Sequence, residues 1–482
     1  MSAASWEPII GLEVHVHLKT DSKLFCRCPV RYGCEPNHQV CPVCLALPGA
    51  LPVLNRGAVE RAVRIGLAVG GNVNAHSVFA RKNYFYPDLP KGYQISQYED
   101  PLVSGGGVDI ATPDEGVRTI PLTRIHMEED AGKSVHGDWE TAGESHMDLN
   151  RAGVPLVEIV SEPELRSADE ASAFLRALRA ILRYTGVSDA DMEKGQMRCD
   201  VNLSLRRPGS RTLGTRTETK NLNSFRSVEG AIQAEMVRQA EVLDDGGEIV
   251  QATMLFDTDS GRTQLMRVKE NADDYRYFPD PDLISLDLDP AWIAQVREGL
   301  PELPGHKRAR FQESYELPAG DAQTLIESRA LADFFEATVR AHGTARSVAN
   351  WMLRDVAALL KEGEGDIEAT RLEPGALAAL IGLVDAGRVT PQSARAVLRE
   401  LAEQGGDPEA LIRERGLEAV SDSGVLESAA DQVLADNPEM AERYRGGETK
   451  VLNFLMGQVM KRTQGKASPA LVREILARKL EG

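Results

Sequence analysis

The apolar and polar positions divide the chain into two halves of different texture. In the first half, GLEVHVHLK, residues 11–19, alternates strictly between apolar and polar side chains, and MRCDVNLSLR, residues 197–206, does the same. A period of two predicts half-buried β-strands. Because antiparallel sheets commonly leave one face polar, we predict an α+β N-terminal domain with an antiparallel sheet.

Helical patterns interrupt these strands and then replace them. Residues 169–186 and 224–247 have helical spacing, and Ser224 is a suitable N-cap for the second helix. Beyond about residue 293 the sequence becomes rich in Ala, Leu and Glu with a helical period, and Gly405–Gly406 marks a turn. We therefore predict three parts: an α+β domain over 1–293, an all-α domain over 294–406 and a small α-helical tail over 407–482.

The composition is that of a globular protein, with 42% hydrophobic and 27% charged residues. The N-terminus shows no basic leader followed by an apolar stretch, and no run of 18 apolar residues occurs. We expect a cytoplasmic protein with no membrane segment.

Charge is distributed unevenly along the chain. The net charge is −18, yet residues 450–482 carry seven Lys or Arg against two Glu. A basic tail on an acidic body is either a binding site for a polyanion or a solvated helix face. The pattern alone leaves both interpretations open.

Carboxylates recur on the polar sides of the predicted strands. Glu13 and His15 lie one two-residue step apart, roughly 6.5–7 Å along a strand, on the same face. Asp200 has a similar position between Arg198 and Asn202, and RIHMEEDAGK, residues 124–133, adds further acidic groups. One such strand would be an ordinary solvated face, but three favour a Mg²⁺ site that also binds phosphate.

The stretch RKNYFYPDLPKGYQISQY, residues 81–98, contains five of the chain's 25 aromatic residues between basic side chains. Such a loop suits stacking on bases or on a terminal adenosine. The alternative is an aromatic cluster that seals a loop onto the core. There is no G-x-x-x-x-G-K-[ST] motif, so the sequence permits a nucleotide site without identifying one.

Five of the six cysteines lie between residues 26 and 44. Cys26 and Cys28 form a C-x-C pair and Cys41 and Cys44 a C-x₂-C pair, which predicts a structural zinc ribbon over residues 26–44. Cys34 is a possible substitute ligand. No G-x-S-x-G or H-E-x-x-H motif is present. If the chain uses ammonia from glutamine, another polypeptide is expected to release it.

Several long motifs, in fixed order, carry a family resemblance. They include CPVCLALPGALPVLN, RKNYFYPDLPKGYQISQY, RIHMEEDAGK, NRAGVPLVEIVSEPEL, KNLNSFRSVEGAI and DYRYFPDPDL. In these segments and through LMGQVMK near the end, the chain resembles the B subunits of the aspartyl/glutamyl-tRNA amidotransferases, the GatB family.

The resemblance implies a cradle-like catalytic domain, a helical domain and a tail domain of the YqeY type. It implies a heterotrimer with an amidase-like A subunit (GatA) and a small C subunit (GatC), ammonia being channelled from the amidase. The GatB chain would use ATP and Mg²⁺ to phosphorylate the side-chain carboxylate of misacylated Glu-tRNA(Gln) or Asp-tRNA(Asn), and ammonia would then form the amide.

The resemblance also implies roles for particular residues. The expected Mg²⁺ ligands are Glu13, His15, Glu129 and Asp200, with Glu128 as a catalytic neighbour. The expected nucleotide and substrate contacts are Arg81, Lys82, Tyr84, Phe85, Tyr86, Arg198, Asn202 and Lys220. The expected tRNA contacts of the tail are Lys450, Lys461, Arg462 and Lys466. Zinc is inferred from this chain's own cysteines, since family members vary in that cluster.

Three rival interpretations of the chain's function are considered alongside this resemblance. The archaeal-type paralogue, GatE, is expected to carry a large inserted domain for which this chain has no room. A non-catalytic zinc-containing scaffold would bind tRNA without turning over ATP. A stand-alone amide synthetase would use free ammonia and need no partner.

Overall fold

The structure, a computed structural model, describes residues 6–112, 116–135, 145–268, 275–363, 365–419, 423–463 and 467–481. The chain divides into two compact units, Met1–Gly305 and His306–Gly482. None of the helices in the described part of the chain is long and apolar enough to cross a membrane.

The first unit contains both strands and helices. Its strands are β1 (Glu7–His17), β2 (Asn72–Val73), β3 (His76–Ser77), β4 (Ala80–Asn83), β5 (Tyr93–Ser96), β6 (Val103–Ser104), β7 (Gly107–Thr112), β8 (Gly116–Glu129), β9 (Lys133–Val135), β10 (His146–Asp148), β11 (Pro155–Ser161), β12 (Met197–Arg206), β13 (Thr217–Leu222), β14 (Ala252–Asp257), β15 (Arg262–Val268), β16 (Phe278–Pro279) and β17 (Leu286–Asp287). Its main helices are α1 (Arg56–Ala68), α2 (Ala168–Tyr184), α3 (Phe225–Asp244) and α4 (Pro290–Glu298).

A ten-stranded sheet organises this unit in the order β15-β14-β13-β12-β1-β11-β8-β6-β2, with β7 also paired to β8. Neighbouring strands are antiparallel except for the parallel pair β13 and β14. The sheet confirms the predicted α+β class. The parallel pair was not predicted, and it arises because α3 connects the two strands as a crossover.

Alternation along β1 assigns the two faces of the sheet. Val14 and Val16 are fully buried in a core that also receives Phe174 of α2 and Ile232 of α3. The helices begin where their caps permit: the Ser224 hydroxyl accepts a hydrogen bond from the amide of Ser227, as the sequence predicted. The opposite face of β1 and its neighbours carries the polar side chains.

The first unit extends beyond the boundary expected at residue 293. Trp292 and Ile293 of α4 pack on the core of the sheet, so this helix belongs to the N-terminal unit, which ends at Gly305.

The second unit is helical in its described residues, as predicted. Its helices are α5 (Pro304–Ser314), which begins at the boundary, α6 (Ala319–Leu325), α7 (Arg329–His342), α8 (Ala345–Trp351), a π-helical turn (Met352–Val356), α9 (Ala357–Glu362), a 3₁₀ turn (Ile367–Ala369), α10 (Pro374–Asp385), α11 (Pro391–Gln404), α12 (Pro408–Glu414), α13 (Ser423–Asp436), α14 (Pro438–Arg445), α15 (Val451–Arg462) and α16 (Pro469–Glu481). Leu426, Leu455 and Leu476 join α13, α15 and α16 in a local core. The division of this unit near residue 406 stays a prediction.

Candidate functional site

The polar side chains of adjacent strands meet on one face of the sheet, which we call the polar sheet face. On β1, Glu13 pairs with Asp200 of β12, and His15 pairs with Glu158 of β11. Glu158 in turn pairs with His126 of β8. Because directly paired residues project from the same face, these side chains lie side by side.

Three carboxylates form the first acidic group: Glu13, Asp200 and Glu218 of β13. Their oxygen atoms lie within 4.8 Å of one another. Burial and the nearby carboxylates raise the pKa of Glu13. Carboxylates brought this close repel one another unless a cation neutralises them, and oxygen donors are what Mg²⁺ prefers. The donor set therefore fits a divalent cation.

Basic and amide groups surround the first acidic group. Lys220 Nζ lies 2.9 Å from both Asp200 Oδ2 and Glu218 Oε1. Burial disfavours its charge, but these two carboxylates raise the pKa of Lys220 above its ordinary value. Asn202 Nδ2 donates to Glu13 Oε1 at 2.9 Å. Lys220 and Asn202 thus contact the carboxylates directly, and their role as phosphate contacts stays a prediction.

The second acidic group consists of His15, Glu128 and Glu158, with ligand atoms again within 4.8 Å of one another. His126 lies between the two glutamates, with Nε2 at 3.1 Å from Glu128 and 3.4 Å from Glu158. Burial opposes its charge, but the carboxylates raise the pKa of His126 to about 9. Burial also opposes ionisation of Glu128, yet Lys82 and His126 hold its pKa below the ordinary value.

The two groups are contiguous. His15 Nε2 of the second group lies 4.0 Å from Asp200 Oδ2 of the first. Asn202 Oδ1, Arg198 Nε and His126 Nδ1 are buried and find no hydrogen-bond partner among the residues that the structure describes. Buried polar atoms are normally satisfied, so each of these three atoms has the capacity to bond a further partner.

Glu129 lies apart from the expected metal centre. Consecutive strand residues point to opposite faces, so Glu128 faces His126 and Glu129 faces the other way. The Glu129 carboxylate accepts a hydrogen bond from Lys91 Nζ at 2.6 Å and another from the amide of Ile95 at 3.1 Å. Within the described residues it joins neither acidic group. In the structure Glu128, rather than Glu129, lies with His15 and Glu158, and the set of metal ligands stays a prediction.

Glu158 and Glu218 were missed by the sequence analysis. Glu158 is a lone carboxylate in the apolar run VPLVEIV, and Glu218 lies in RTETK. An isolated Glu inside an otherwise apolar strand is the signal that could have indicated Glu158, because a buried charge needs a partner.

Arg198, which pairs with His15 across β1 and β12, forms an ion pair with Asp130. Its guanidinium donates to Asp130 Oδ2 at 2.7 Å, and His17 Nε2 lies 2.6 Å from the same oxygen. Burial opposes ionisation, but Arg198 and Arg151 hold the pKa of Asp130 well below its ordinary range. Arg198 is therefore held in place, with Nε left over for another partner.

The aromatic loop divides into anchoring and exposed parts. Arg81 anchors it, because its guanidinium lies 2.9 Å from both Asp280 and Asp282 and stacks 4.2 Å from the Tyr93 ring. Phe85 is 79% exposed and Tyr86 is 50% exposed. The loop is thus anchored at one end and presents two exposed rings at the other, and base stacking by those rings stays a prediction.

Lys82 and Tyr84, near the start of this loop, are linked to Glu128 of the second acidic group. Lys82 Nζ sits 5.1 Å from the Tyr275 ring. Burial lowers its pKa, but Glu128 reverses the effect and raises the pKa of Lys82 well above the ordinary value. Tyr84 donates its hydroxyl to Gln94 at 3.1 Å, and Gln94 donates to Glu128 at 2.9 Å. Lys82 is thus a half-buried cation whose charge is stabilised by a carboxylate.

Four cysteines converge in the segment after β1. The sulfur atoms of Cys26, Cys28, Cys41 and Cys44 lie within 4.8 Å of one another, and Cys28 is 3.9 Å from Cys44. Tetrahedral Zn–S bonds of about 2.3 Å imply sulfur separations of about 3.8 Å. All are free cysteines, and Cys34 is exposed outside the group. The cluster can bind a metal ion.

A buried lysine favours a thiolate in this cluster. Lys23 is fully buried, with Nζ at 3.5 Å from Cys44 Sγ. Hydrogen bonding from Cys26 is the main cause that lowers the pKa of Cys44, to about 4, and Lys23 contributes. The thiolate is the form that ligates metals.

The basic residues of the tail have different surroundings. Lys450 and Lys461 are exposed. Arg462 is also exposed, but its guanidinium pairs with Asp436 and donates to Gln432 at 2.8 Å. Lys466 lies outside the described residues.

Comparisons with known proteins show which protein family the chain resembles. The model of the GatB/GatE catalytic domain matches residues 8–294, and that of the GatB domain matches residues 333–480. The polar sheet face therefore belongs to a catalytic domain of the GatB/GatE class.

Similar proteins narrow the class to one family. The B subunit of the aspartyl/glutamyl-tRNA(Asn/Gln) amidotransferase of Nitratidesulfovibrio vulgaris (strain DP4) is 53% identical over 477 residues, 99% of this chain and all of the relative. The proteins of the same name from Trichlorobacter lovleyi and Bordetella pertussis are 51% and 53% identical over 99% of this chain and all of their own lengths. The chain belongs to the GatB family, as its motifs indicated, and the match to a catalytic domain supports that interpretation over a non-catalytic scaffold.

Proposed function

We propose that this chain activates the side-chain carboxylate of glutamate or aspartate carried by a misacylated tRNA and converts it to the amide. The observation that carries the proposal is the contiguity of the two acidic groups on the polar sheet face, joined by the 4.0 Å approach of His15 and Asp200. The relatives' names, which describe an amidotransferase for aspartyl and glutamyl tRNA, supply the substrate class.

The chemistry needs phosphoryl transfer because a carboxylate is a poor acyl donor. The substrate carboxylate oxygen attacks the γ-phosphorus of ATP, and ADP leaves. Ammonia then attacks the carbonyl carbon of the acyl phosphate, loses a proton, and inorganic phosphate leaves as the amide forms. Such transfers depend on positioning and on neutralising charge around the phosphates.

The residues present fit this task. The first and second acidic groups would each hold a Mg²⁺ ion, which when bound neutralises phosphate charge and fixes the reacting oxygens. Lys220, Arg198 and Lys82 supply positive charge around these groups. We assign them to phosphate or substrate carboxylate contacts.

The tRNA would approach from the aromatic loop. Phe85 and Tyr86 present exposed rings next to Tyr84, so unstacked bases of the acceptor end could rest on them. In the tail, Lys450 and Lys461 are exposed and would contact phosphates, which supply affinity and orientation. Arg462 is engaged by Asp436, so we expect it to contribute less.

We further propose that the chain works in the cytoplasm as part of a heterotrimer, with an amidase partner (GatA) that releases ammonia from glutamine and a small third partner (GatC). The cysteine cluster would hold a structural zinc ion, since four sulfur ligands leave no open position for substrate.

A trapping assay tests the proposal. The reconstituted trimer would receive Glu-tRNA(Gln), ATP and Mg²⁺, with hydroxylamine in place of ammonium. We expect phosphate release that requires misacylated tRNA, together with formation of the γ-hydroxamate. A tRNA-binding scaffold would bind tRNA but release no phosphate and form no hydroxamate.

A further inference from the structure

Lys23, in the segment after β1, is a buried cation that the chemistry described so far does not use. Its side chain is fully buried, although a lysine is almost never fully buried unless it is paired. Among the described residues it forms no ion pair with a carboxylate. Its ammonium group instead lies 3.5 Å from Cys44 Sγ and 3.4 Å from the carbonyl oxygen of Leu149. Because a buried charge needs a counter-charge, the negative charge that compensates Lys23 comes from the cysteine cluster.

A cluster of four cysteines that holds a zinc ion has the matching charge. Four thiolates around one Zn²⁺ leave two excess negative charges, and one ammonium group neutralises one of them. Cys28 and Cys44 are buried and Cys26 and Cys41 are half-buried, so water screens this excess charge poorly. Lys23 donates a hydrogen bond to a sulfur of the cluster and is therefore placed to stabilise it.

The backbone and the stem of Lys23 are fixed from both sides. The amide of Lys23 donates to the carbonyl oxygen of Cys28 at 3.0 Å, and the amide of Leu24 donates to that of Gly153 at 2.8 Å. A Cβ atom added at Gly153 would lie 3.5 Å from Lys23 Cδ and 3.7 Å from Cys44 Cβ. The stem thus packs between the cysteine segment and the segment before β11. The ammonium group is held at the sulfur in advance, as expected of a partner that orients a metal ligand.

We propose that Lys23 is the counter-ion of the metal-loaded cysteine cluster, and that its ammonium group retains the metal by stabilising the thiolate of Cys44. The inference rests on the zinc site proposed above and deepens it by assigning a residue outside the set of ligands. Partners that contact a ligand rather than the metal change metal affinity by about 10–100-fold. Lys23 is thus a positioning residue, and its charge stabilises the fold only while the cluster is anionic.

The alternative is that Lys23 only fills space. The aliphatic stem of a lysine packs like an apolar side chain, and in that case its volume matters and its charge does not. The two roles differ when the cluster loses its negative charge. A buried ammonium group without a counter-charge destabilises the fold, whereas the packing of the stem is unaffected.

The first test measures zinc affinity in the reconstituted trimer. Lys23→Met keeps a long, flexible side chain and removes the charge. We expect the apparent zinc affinity, measured by competition with a chromogenic chelator, to fall about tenfold or more. Lys307→Met is the matched control, because Lys307 is also buried but pairs with Asp333 and Glu336 in the second unit. This control should bind zinc as wild type does.

A double-mutant cycle separates charge from packing, and its second arm is informative even where the single variant folds poorly. Lys23→Met is made in the wild type and in Cys44→Ser, and thermal unfolding midpoints are compared. We expect Lys23→Met to lower the midpoint in the wild type but to leave it unchanged or raise it in Cys44→Ser, where the ammonium group has lost its thiolate. Equal losses in both backgrounds would show that Lys23 only fills space.

The role of Lys23 and the zinc site itself fail in different ways. A wild-type trimer that contains zinc, together with an unchanged zinc affinity in Lys23→Met, would overturn the counter-ion role and leave the zinc site standing. A wild-type trimer without zinc by elemental analysis would contradict the proposed zinc site and the role of Lys23 with it.

Discussion

Glu13 and Asp200 face each other directly across the antiparallel strands β1 and β12. Burial is the main cause of the raised pKa of Glu13, and repulsion from the neighbouring carboxylates, Asp200 among them, adds to it. A metal cation or a cationic side chain can neutralise the repulsion between the two carboxylates, and Lys220 already contacts Asp200. If the first acidic group binds a divalent cation, as we propose, binding should stabilise the folded chain.

Glu158→Gln should weaken the affinity for Mg²⁺ more than Glu129→Gln does. Glu158 belongs to the second acidic group, whereas Glu129 is bound by Lys91. Loss of a carboxylate ligand should raise the Mg²⁺ concentration for half-maximal amide formation by about tenfold or more. Glu129→Gln should leave that concentration unchanged, whatever it does to the maximal rate. Mg²⁺ titrations of both variants measure the difference, and equal shifts would place Glu129 among the ligands.

Cys44→Ser should remove zinc from the purified chain and lower its thermal unfolding midpoint. Cys44 is buried and its sulfur contacts those of Cys28 and Cys41. Wild-type protein should contain about one zinc per chain by elemental analysis. Cys34→Ser is the matched control, because Cys34 is exposed outside the cluster. A zinc content that falls equally in both variants would argue against this ligand set.

Glu235→Gln should destabilise the first unit and change its acid unfolding. The buried Glu235 carboxylate accepts hydrogen bonds from Thr217 at 2.7 Å and Thr263 at 2.8 Å and pairs with Arg238, which fixes β13 to α3 and β15. Losing such a partner costs about 1–3 kcal/mol.

Acid titration supplies the pH dependence of that contribution. Burial opposes ionisation, but Arg238, Thr217 and Thr263 hold the pKa of Glu235 below its ordinary value. The stabilisation is therefore present above the unfolded-state pKa and is lost as the pH falls through the lower, folded-state pKa. Denaturant unfolding from about pH 7 down to about pH 3, across the titration of the carboxylates, should show the variant's deficit shrinking with acid. A constant deficit would mean that the charge contributes nothing.

Replacing Lys450 and Lys461 together by Glu should weaken tRNA binding uniformly for misacylated and correctly acylated tRNA. Both side chains are exposed, and removing each phosphate contact should reduce the salt slope of the association constant by about one. Binding assays over a range of salt concentrations give that slope. Arg478→Glu is a suitable comparison, because Arg478 is already paired with Glu427. An unchanged slope in the double variant would mean that the basic tail is a solvated helix face.

The alternation of side chains predicted the sheet and its polar face but not the neighbours within it. A period of two placed Glu13, His15 and Asp200 on polar faces, and the structure brings these three together. Strand order depends on pairing between distant segments, so the sequence did not show that β11 lies between β1 and β8. Because Glu158 belongs to β11, its place in the site was missed. The choice between Glu128 and Glu129 depends on which face of β8 carries the site, which a motif does not state.

The aromatic loop shows the same limit. Its rings and basic side chains were evident, but the partners of Arg81 are Asp280 and Asp282, about two hundred positions later. Only the folded chain shows that Arg81 anchors the loop while Phe85 stays exposed.

One assay decides whether the polar sheet face is the carboxylate-activating site. The chain is reconstituted with GatA and GatC, supplied with Glu-tRNA(Gln), ATP, Mg²⁺ and ammonium, and Gln-tRNA(Gln) formation is followed. Asp200→Ala should reduce the rate by about 100-fold or more while tRNA binding stays near wild type. Asp189→Ala, which alters an exposed carboxylate paired with Lys19, should remain active. Equal rates in wild type and Asp200→Ala would show that the activating site lies elsewhere.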